Sequence, residues 1–286
     1  MRVRVGCQFA LESEGAVPLL VLVEPHPGGE HKVVVASRHL DPALPVHEYL
    51  DRFGNRCWRL VMPGGPLLLR YDAIVEISGQ PDPSPVALPL VPVADLPDET
   101  LLYLLPSRSI QSDLLMDDAW SIVGATEPTG ARVQAICDWV HEHIRYEGGT
   151  SDPTVTALDT YARRYGVCRD IALLSVALCR AINIPARYAY GYLPDIDVPP
   201  PYALMDFHAW FNAFVDGRWY TFDARYNVPR IGRIEIAHGP DVVDVAMTTS
   251  FGVNRLSAMT VWSDQVRDET TDLVVDGGAM REEAGA

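Results

Sequence analysis

From residue 1 to about 100, apolar and polar positions alternate with a period of two, in runs broken by proline and glycine, the pattern of strands buried on one face. The runs are Val3–Ala10, Leu19–Val23, Lys32–Ser37, His47–Asp51, Arg56–Met62, Gly65–Val75 and Ala73–Ile77, the last two read as one bent strand. Turn-forming residues separate them at Pro25–Gly29, Phe53-Gly54-Asn55 and Pro63-Gly64-Gly65. Short strands at near-even spacing, with no helical stretch among them, predict a small β-sandwich. Gln80–Pro97 follows, carrying Pro81, Pro83, Pro85, Pro89, Pro92 and Pro97 and few side chains able to build a core. It reads as an extended linker.

Beyond it the period changes. Leu101–Leu105 and Asp113–Ile122 read as short helices. Thr129-Gly130 opens a longer one with Val133, Ile136, Val140 and Ile144 on one face. Asp152-Pro153 resembles an N-cap with proline at the first helical position, and the helix it starts runs to about Arg164, with Val155, Leu158 and Tyr161 spaced for burial and Gly166 as its breaker. Cys168 to Asn183 is apolar nearly all round, which predicts a helix covered on most sides. Pro185 ends it, Arg187–Leu193 reads as a strand, and the Pro/Asp loop Asp195–Tyr202 is long enough to overhang a cleft. The expected organisation is a β-sandwich over residues 1–98, a mixed helix and sheet unit over 99–270, and an acidic, disordered tail over 271–286.

Composition narrows the function classes. A net charge of −15 over 286 residues argues against nucleic-acid binding and against anionic membranes. Five scattered cysteines (Cys7, Cys57, Cys137, Cys168, Cys179) form no CxxC pair, so a metal ribbon has no support. The N-terminus lacks the apolar core of a secretion signal, and no apolar run reaches the roughly 20 residues of a membrane helix. A cytoplasmic protein with free thiols is expected.

One cysteine stands apart. Cys168 opens the buried helix, where free backbone N–H groups and the positive end of the helix dipole favour a thiolate and suit an oxyanion. Asp216-Gly217 between two alternating runs is a two-residue hairpin signal. With those residues as the turn, Val215 faces Arg218, Trp210 faces Asp223 and His208 faces Arg225. His208, Trp210, Asp223 and Arg225 then share one face, and His208 and Asp223 are diagonal neighbours, roughly 7–8 Å apart at Cα. Nucleophile, base and orienter are thereby assigned to Cys168, His208 and Asp223. Trp210 and Arg225 are candidate substrate-binding residues, Trp210 as a wall of the cleft and Arg225 as a partner for a substrate carboxylate. Asp170 reads as dipole compensation, Tyr146 as a candidate second oxyanion donor, and the other four cysteines as core.

These residues carry a resemblance. Gly166-Val167-Cys168, Asp170, Ala172, then Ile184-Pro185-Ala186-Arg187-Tyr188, Gly191-Tyr192, His208-Ala209-Trp210 and Phe222-Asp223 resemble the transglutaminase-like superfamily, and within it bacterial members described as cysteine proteases. Leu105-Pro106-Ser107-Arg108, Ile144-Arg145-Tyr146 and the run from Phe222 to Arg233 extend the likeness over roughly residues 100–255. The resemblance implies an α+β fold: a papain-like core of helices packed on an antiparallel sheet, preceded by the family's β-domain. It also implies the roles already given to Cys168, His208 and Asp223. Two positions depart from the family pattern: Arg169, where relatives often carry Gln, and Asn212, where many carry Glu. Nothing in the chain resembles the calcium-binding acidic clusters of animal transglutaminases, so no cofactor and no metal is expected.

The leading expectation is acyl transfer or hydrolysis at amide or isopeptide bonds of peptides or proteins through a thioester. Hydrolysis is favoured over amine cross-linking. Two alternatives stand: an N-acyltransferase with the same triad, as in arylamine N-acetyltransferases, and a non-catalytic binding module that retains the fold.

Overall fold

The computed structural model describes residues 1–200 and 204–266. The expected disordered tail lies outside the described residues. Its first half consists of β1 (Arg2–Ser13), β2 (Val17–Val21), β3 (His31–Asp41), β4 (His47–Leu50), β5 (Arg56–Met62) and β6 (Gly65–Ile77). The two overlapping runs at Gly65–Ile77 are indeed one strand. Val3, Val5, Cys7, Phe9 and Leu11 of β1 are buried at every second position, so the period of two reports one face turned inward. Trp58 of β5 meets Tyr71 of β6 edge to face at 6.2 Å, packing one sheet on the other.

Helices and a second set of strands follow: α1 (Met116–Val123), α2 (Ala131–His143), β7 (Arg145–Tyr146), α3 (Ala157–Arg163), β8 (Tyr165–Gly166), α4 (Cys168–Ala181), β9 (Ala186–Tyr192), β10 (His208–Val215), β11 (Arg218–Phe222), β12 (Ile234–Gly239), β13 (Thr248–Ser250) and β14 (Asn254–Val266). The fold is α+β. An antiparallel sheet in the order β11-β10-β9-β12 carries α4 against β9 and β10. Residues 170–181 of α4 are all buried, as its unbroken apolar surface requires.

Three expectations change. The last strands do not belong to the helix-packed sheet: β14 lies along β1 in the order β14-β1-β6-β3, and β13 joins β2 in the order β13-β2-β5-β4. The unit expected over 1–98 is therefore completed by chain beyond residue 247, and the span 99–270 is not one continuous unit. The proline-rich segment is a strap and no free linker. It bridges to the rest at Pro81 with Ile231 and Pro89 with Thr129, and Pro89 O accepts from Asp216 N–H at 3.0 Å. Prolines lack the N–H but keep the carbonyl, so such a strap hydrogen-bonds through its acceptors.

Finally, α3 starts at Ala157, with Thr156 as its cap, accepting from Asp159 N–H at 3.2 Å and completing a capping box. Asp152 instead turns the chain one step earlier, its carboxylate accepting from Thr154 N–H at 2.7 Å. The helix ends on Arg164 in the left-handed region (φ 65°), two residues before Gly166. Leu158 faces outward at 36% exposure.

Candidate active site

The Asp216-Gly217 turn forms with both residues at positive φ (47° and 79°), the backbone that glycine and aspartate tolerate and that matches strand twist. It sets the register anticipated from the sequence, Val215 opposite Arg218 through Phe211 opposite Phe222. The ladder stops there. Asp223 begins a turn, and its side chain folds back on His208 at the head of β10. His208 Nε2–H donates to Asp223 Oδ2 at 2.7 Å. Both are buried, at 4% and 7% exposure.

Cys168 arrives from the other direction. α4 begins immediately after the β8 pairing, and Val167 N–H is capped by Asp170 Oδ2 at 3.1 Å. Gly166 is needed for this approach, because a Cβ there would lie 2.8 Å from Asp170 Cβ. Asp170 also accepts from Ser151 Oγ at 2.7 Å and pairs with Arg169 at 2.8 Å. The helix start is thus held by its own carboxylate. Arg169 reaches back to the carbonyl of Val155 at 3.1 Å, fixing the loop before α3.

The half-buried Cys168 thiol lies beside the His208 side chain and the backbone of Ala209. With Nε2 committed to Asp223, Nδ1 is the nitrogen left for sulfur. Burial pushes this thiol up, but the His208 hydrogen bond and charge, the Ala209 N–H and Arg225 outweigh it, and the thiol lies below its usual range. Burial likewise depresses His208, and the Asp223 charge and hydrogen bond reverse that and raise it. Asp223 is held well below the usual carboxylate range because His208 and Arg233 oppose its burial. Both shifts run in the direction of a thiolate and an imidazolium. The other cysteines go the opposite way: burial takes Cys7 up to about 12, Cys57 to about 11, and Cys137 and Cys179 well above the ordinary thiol.

Trp210 is 1% exposed, so its ring packs 6.2 Å from that of His208 and does not line a surface open to substrate. Arg225 is half-buried at the mouth. Its Nη1 stands 3.4 Å from His208 Nδ1, and its guanidinium covers the Tyr146 ring at 3.7 Å. Asn212, at the second departing position, accepts from Arg187 Nε at 3.0 Å.

Two residues with no role in the sequence reading stand behind Asp223. Arg233 donates to Asp223 Oδ2 at 2.8 Å and to Asp82 Oδ2 at 2.7 Å, and its guanidinium lies over Trp210 at 5.1 Å. Asp82 comes from the proline strap. Arg233 lies within the stretch that carries the family likeness, yet no spacing rule ties it to Asp223, and Asp82 is 151 residues away in sequence from Arg233, which donates to it.

A fold of this kind, with a cysteine at the start of a buried helix and a His–Asp pair on the adjoining hairpin, defines a class. The core sequence profile of the transglutaminase-like superfamily matches residues 119–224. The crystal structure of a candidate cysteine protease from Cytophaga hutchinsonii superposes with a TM-score of 0.83 at 31% identity, over 96% of this chain and 94% of that one. An uncharacterized protein of Mycobacterium leprae is 27% identical over 214 residues, 72% of this chain and 75% of its own. The chain belongs to the transglutaminase-like superfamily. Among the described residues no helix is long and apolar enough to cross a membrane.

Proposed function

We propose that this protein is a cysteine-dependent enzyme that opens amide or isopeptide bonds of peptides or proteins, with water favoured over an amine as acyl acceptor. Cys168 thiolate attacks the carbonyl, the first-turn N–H groups of α4 take the developing oxyanion, and the His208 imidazolium gives its proton to the leaving amine. Neutral His208 then draws a proton from water as it attacks the thioester, which releases the acid and restores the thiolate–imidazolium pair. Asp223 holds the ring with Nδ1 toward sulfur and stabilises the imidazolium. Arg225 offers a counter-charge to a substrate carboxylate at the mouth. The likeness to the Cytophaga hutchinsonii protein supports hydrolysis, and the unpaired state of all five cysteines suits a reducing cytoplasm.

The observation that carries this reading is the convergence of Cys168, at the first turn of the buried α4, on an imidazole that is itself fixed by a 2.7 Å bond to Asp223. The test is the pH dependence of alkylation by iodoacetamide, with Cys168→Ser as the blank. Labelling well below pH 8 that slows in His208→Ala is expected, followed by turnover of peptide amides, with product masses separating acid from amine adduct. Labelling that tracks an ordinary thiol near pH 8.5, with no turnover, overturns it.

A further inference from the structure

Away from Cys168, three potential metal ligands converge where the N-terminal strands meet β12. Glu235 and His238 both lie on β12. In a regular strand, positions three apart point to opposite faces. Here the register against β9 shifts: Glu235 lies opposite Gly191, Ala237 opposite Tyr190, and His238 opposite Ala189. The extra residue, Ile236, makes a β-bulge that turns Glu235 and His238 to the same side, and His238 Nδ1–H donates to Glu235 Oε1 at 2.7 Å.

His26 comes from the loop between β2 and β3. Its backbone N–H donates to Glu235 O at 2.7 Å, and its ring centroid lies 4.7 Å from that of His238. One ligand atom from each of the three residues lies within 4.8 Å of the other two. The His26 ring is held loosely, with Nδ1 accepting from Gly28 N–H at 3.0 Å and Nε2 at a long 3.4 Å from Phe53 O. The nearby Arg187 guanidinium is engaged elsewhere, with Asn212 Oδ1 at 3.0 Å and stacked on Trp219 at 4.4 Å.

We propose that His26, Glu235 and His238 form a binding site for a divalent ion of the zinc class, which ties the N-terminal strands to the helix-packed sheet. Two imidazoles and one carboxylate are the donor set such an ion takes, with a fourth position open to water, whereas magnesium and calcium call for a shell of oxygens. Loading takes the place of the hydrogen bond between His238 Nδ1 and Glu235, and the neutral imidazole then carries its proton on Nε2, so the ion is bound with no net loss of a proton from this pair. The β-bulge accounts for why two ligands three residues apart face one another. The ion is a structural tie and takes no part in the chemistry at Cys168.

The experiment uses the full chain carrying Cys168→Ala, which removes the thiol that would take zinc together with His208. After treatment with chelator, the protein is dialysed against zinc chloride, and bound metal is counted by mass spectrometry. One zinc per chain and a raised thermal midpoint are expected, with neither effect from magnesium or calcium. Added His26→Ala, on the partly exposed loop, and added Glu235→Gln, which keeps the side-chain shape, should each weaken zinc binding about tenfold or more. Circular dichroism of the metal-free variants establishes that they are folded. No zinc on the parent, or equal affinity in whichever variant folds, overturns the assignment.

Discussion

Replacing Asp223 by Asn tests the site at its orienting end with almost no change of shape. Asp223 Oδ2 accepts from His208 and Arg233, while Oδ1 accepts from the N–H groups of Arg225 at 3.1 Å and Tyr226 at 3.4 Å. Asparagine has one oxygen for these two pairs of donors. With that oxygen kept toward His208 and Arg233, its NH2 group opposes two backbone N–H groups, a cost of about 1–3 kcal/mol read in urea unfolding.

At His208 the loss is the charge. A hydrogen bond to an ionised partner contributes about 1.5–3 kcal/mol and a neutral one about 0.5–1.5, so the difference is about 1–1.5 kcal/mol. At 1.36 kcal/mol per unit, that is about one pKa unit. The carboxylate raises His208, so its loss lowers His208, and the imidazolium that holds the thiolate becomes scarcer. The Cys168 labelling midpoint therefore moves up by about one unit, and alkylation near neutral pH slows about tenfold. Turnover falls further, since proton delivery to the leaving amine contributes about 10²–10⁴ of the rate. The assay is iodoacetamide labelling across pH on folded protein. A midpoint unchanged in Asp223→Asn, with turnover within about twofold of the parent, refutes a role for the carboxylate through the imidazole.

Arg233→Met strips the charge between buried Asp223 and half-buried Asp82 and should cost about 3–5 kcal/mol in urea unfolding, more than any exposed arginine. Gly191→Ala places a Cβ 2.1 Å from Ile234 O on the strand beside His208, so β9 and β12 must part; a loss of about 1–3 kcal/mol or more is expected from thermal unfolding. Asp223 contributes stability that is present above its unfolded value near pH 4 and is lost as pH falls through its depressed folded value, so the acid limb of unfolding should be shallower in Asp223→Asn. Turnover against pH should be bell-shaped, rising as Cys168 ionises, at lower pH than a free thiol, and falling as the His208 imidazolium loses its proton, at higher pH than a free imidazole.

What local sequence determines here is what a few neighbouring residues can enforce. The period-two runs became β1 to β6, and the apolar helix after Cys168 became the covered α4. The Asp216-Gly217 turn set the register that brings His208 and Asp223 to one end of a hairpin. Each is decided within about a dozen positions, by side-chain alternation, helix-face burial or the φ that a turn demands. The tertiary structure decided the rest: β14 along β1, Arg233 between Asp82 and Asp223, Trp210 sealed in the core, and the bulge that sets Glu235 beside His238. These depend on segments far apart in the chain choosing one another. A strand's pattern shows which face it buries, and an arginine shows that it needs a carboxylate. Neither names the partner, because hydrophobic burial is non-directional and the partner is selected only when the whole core closes.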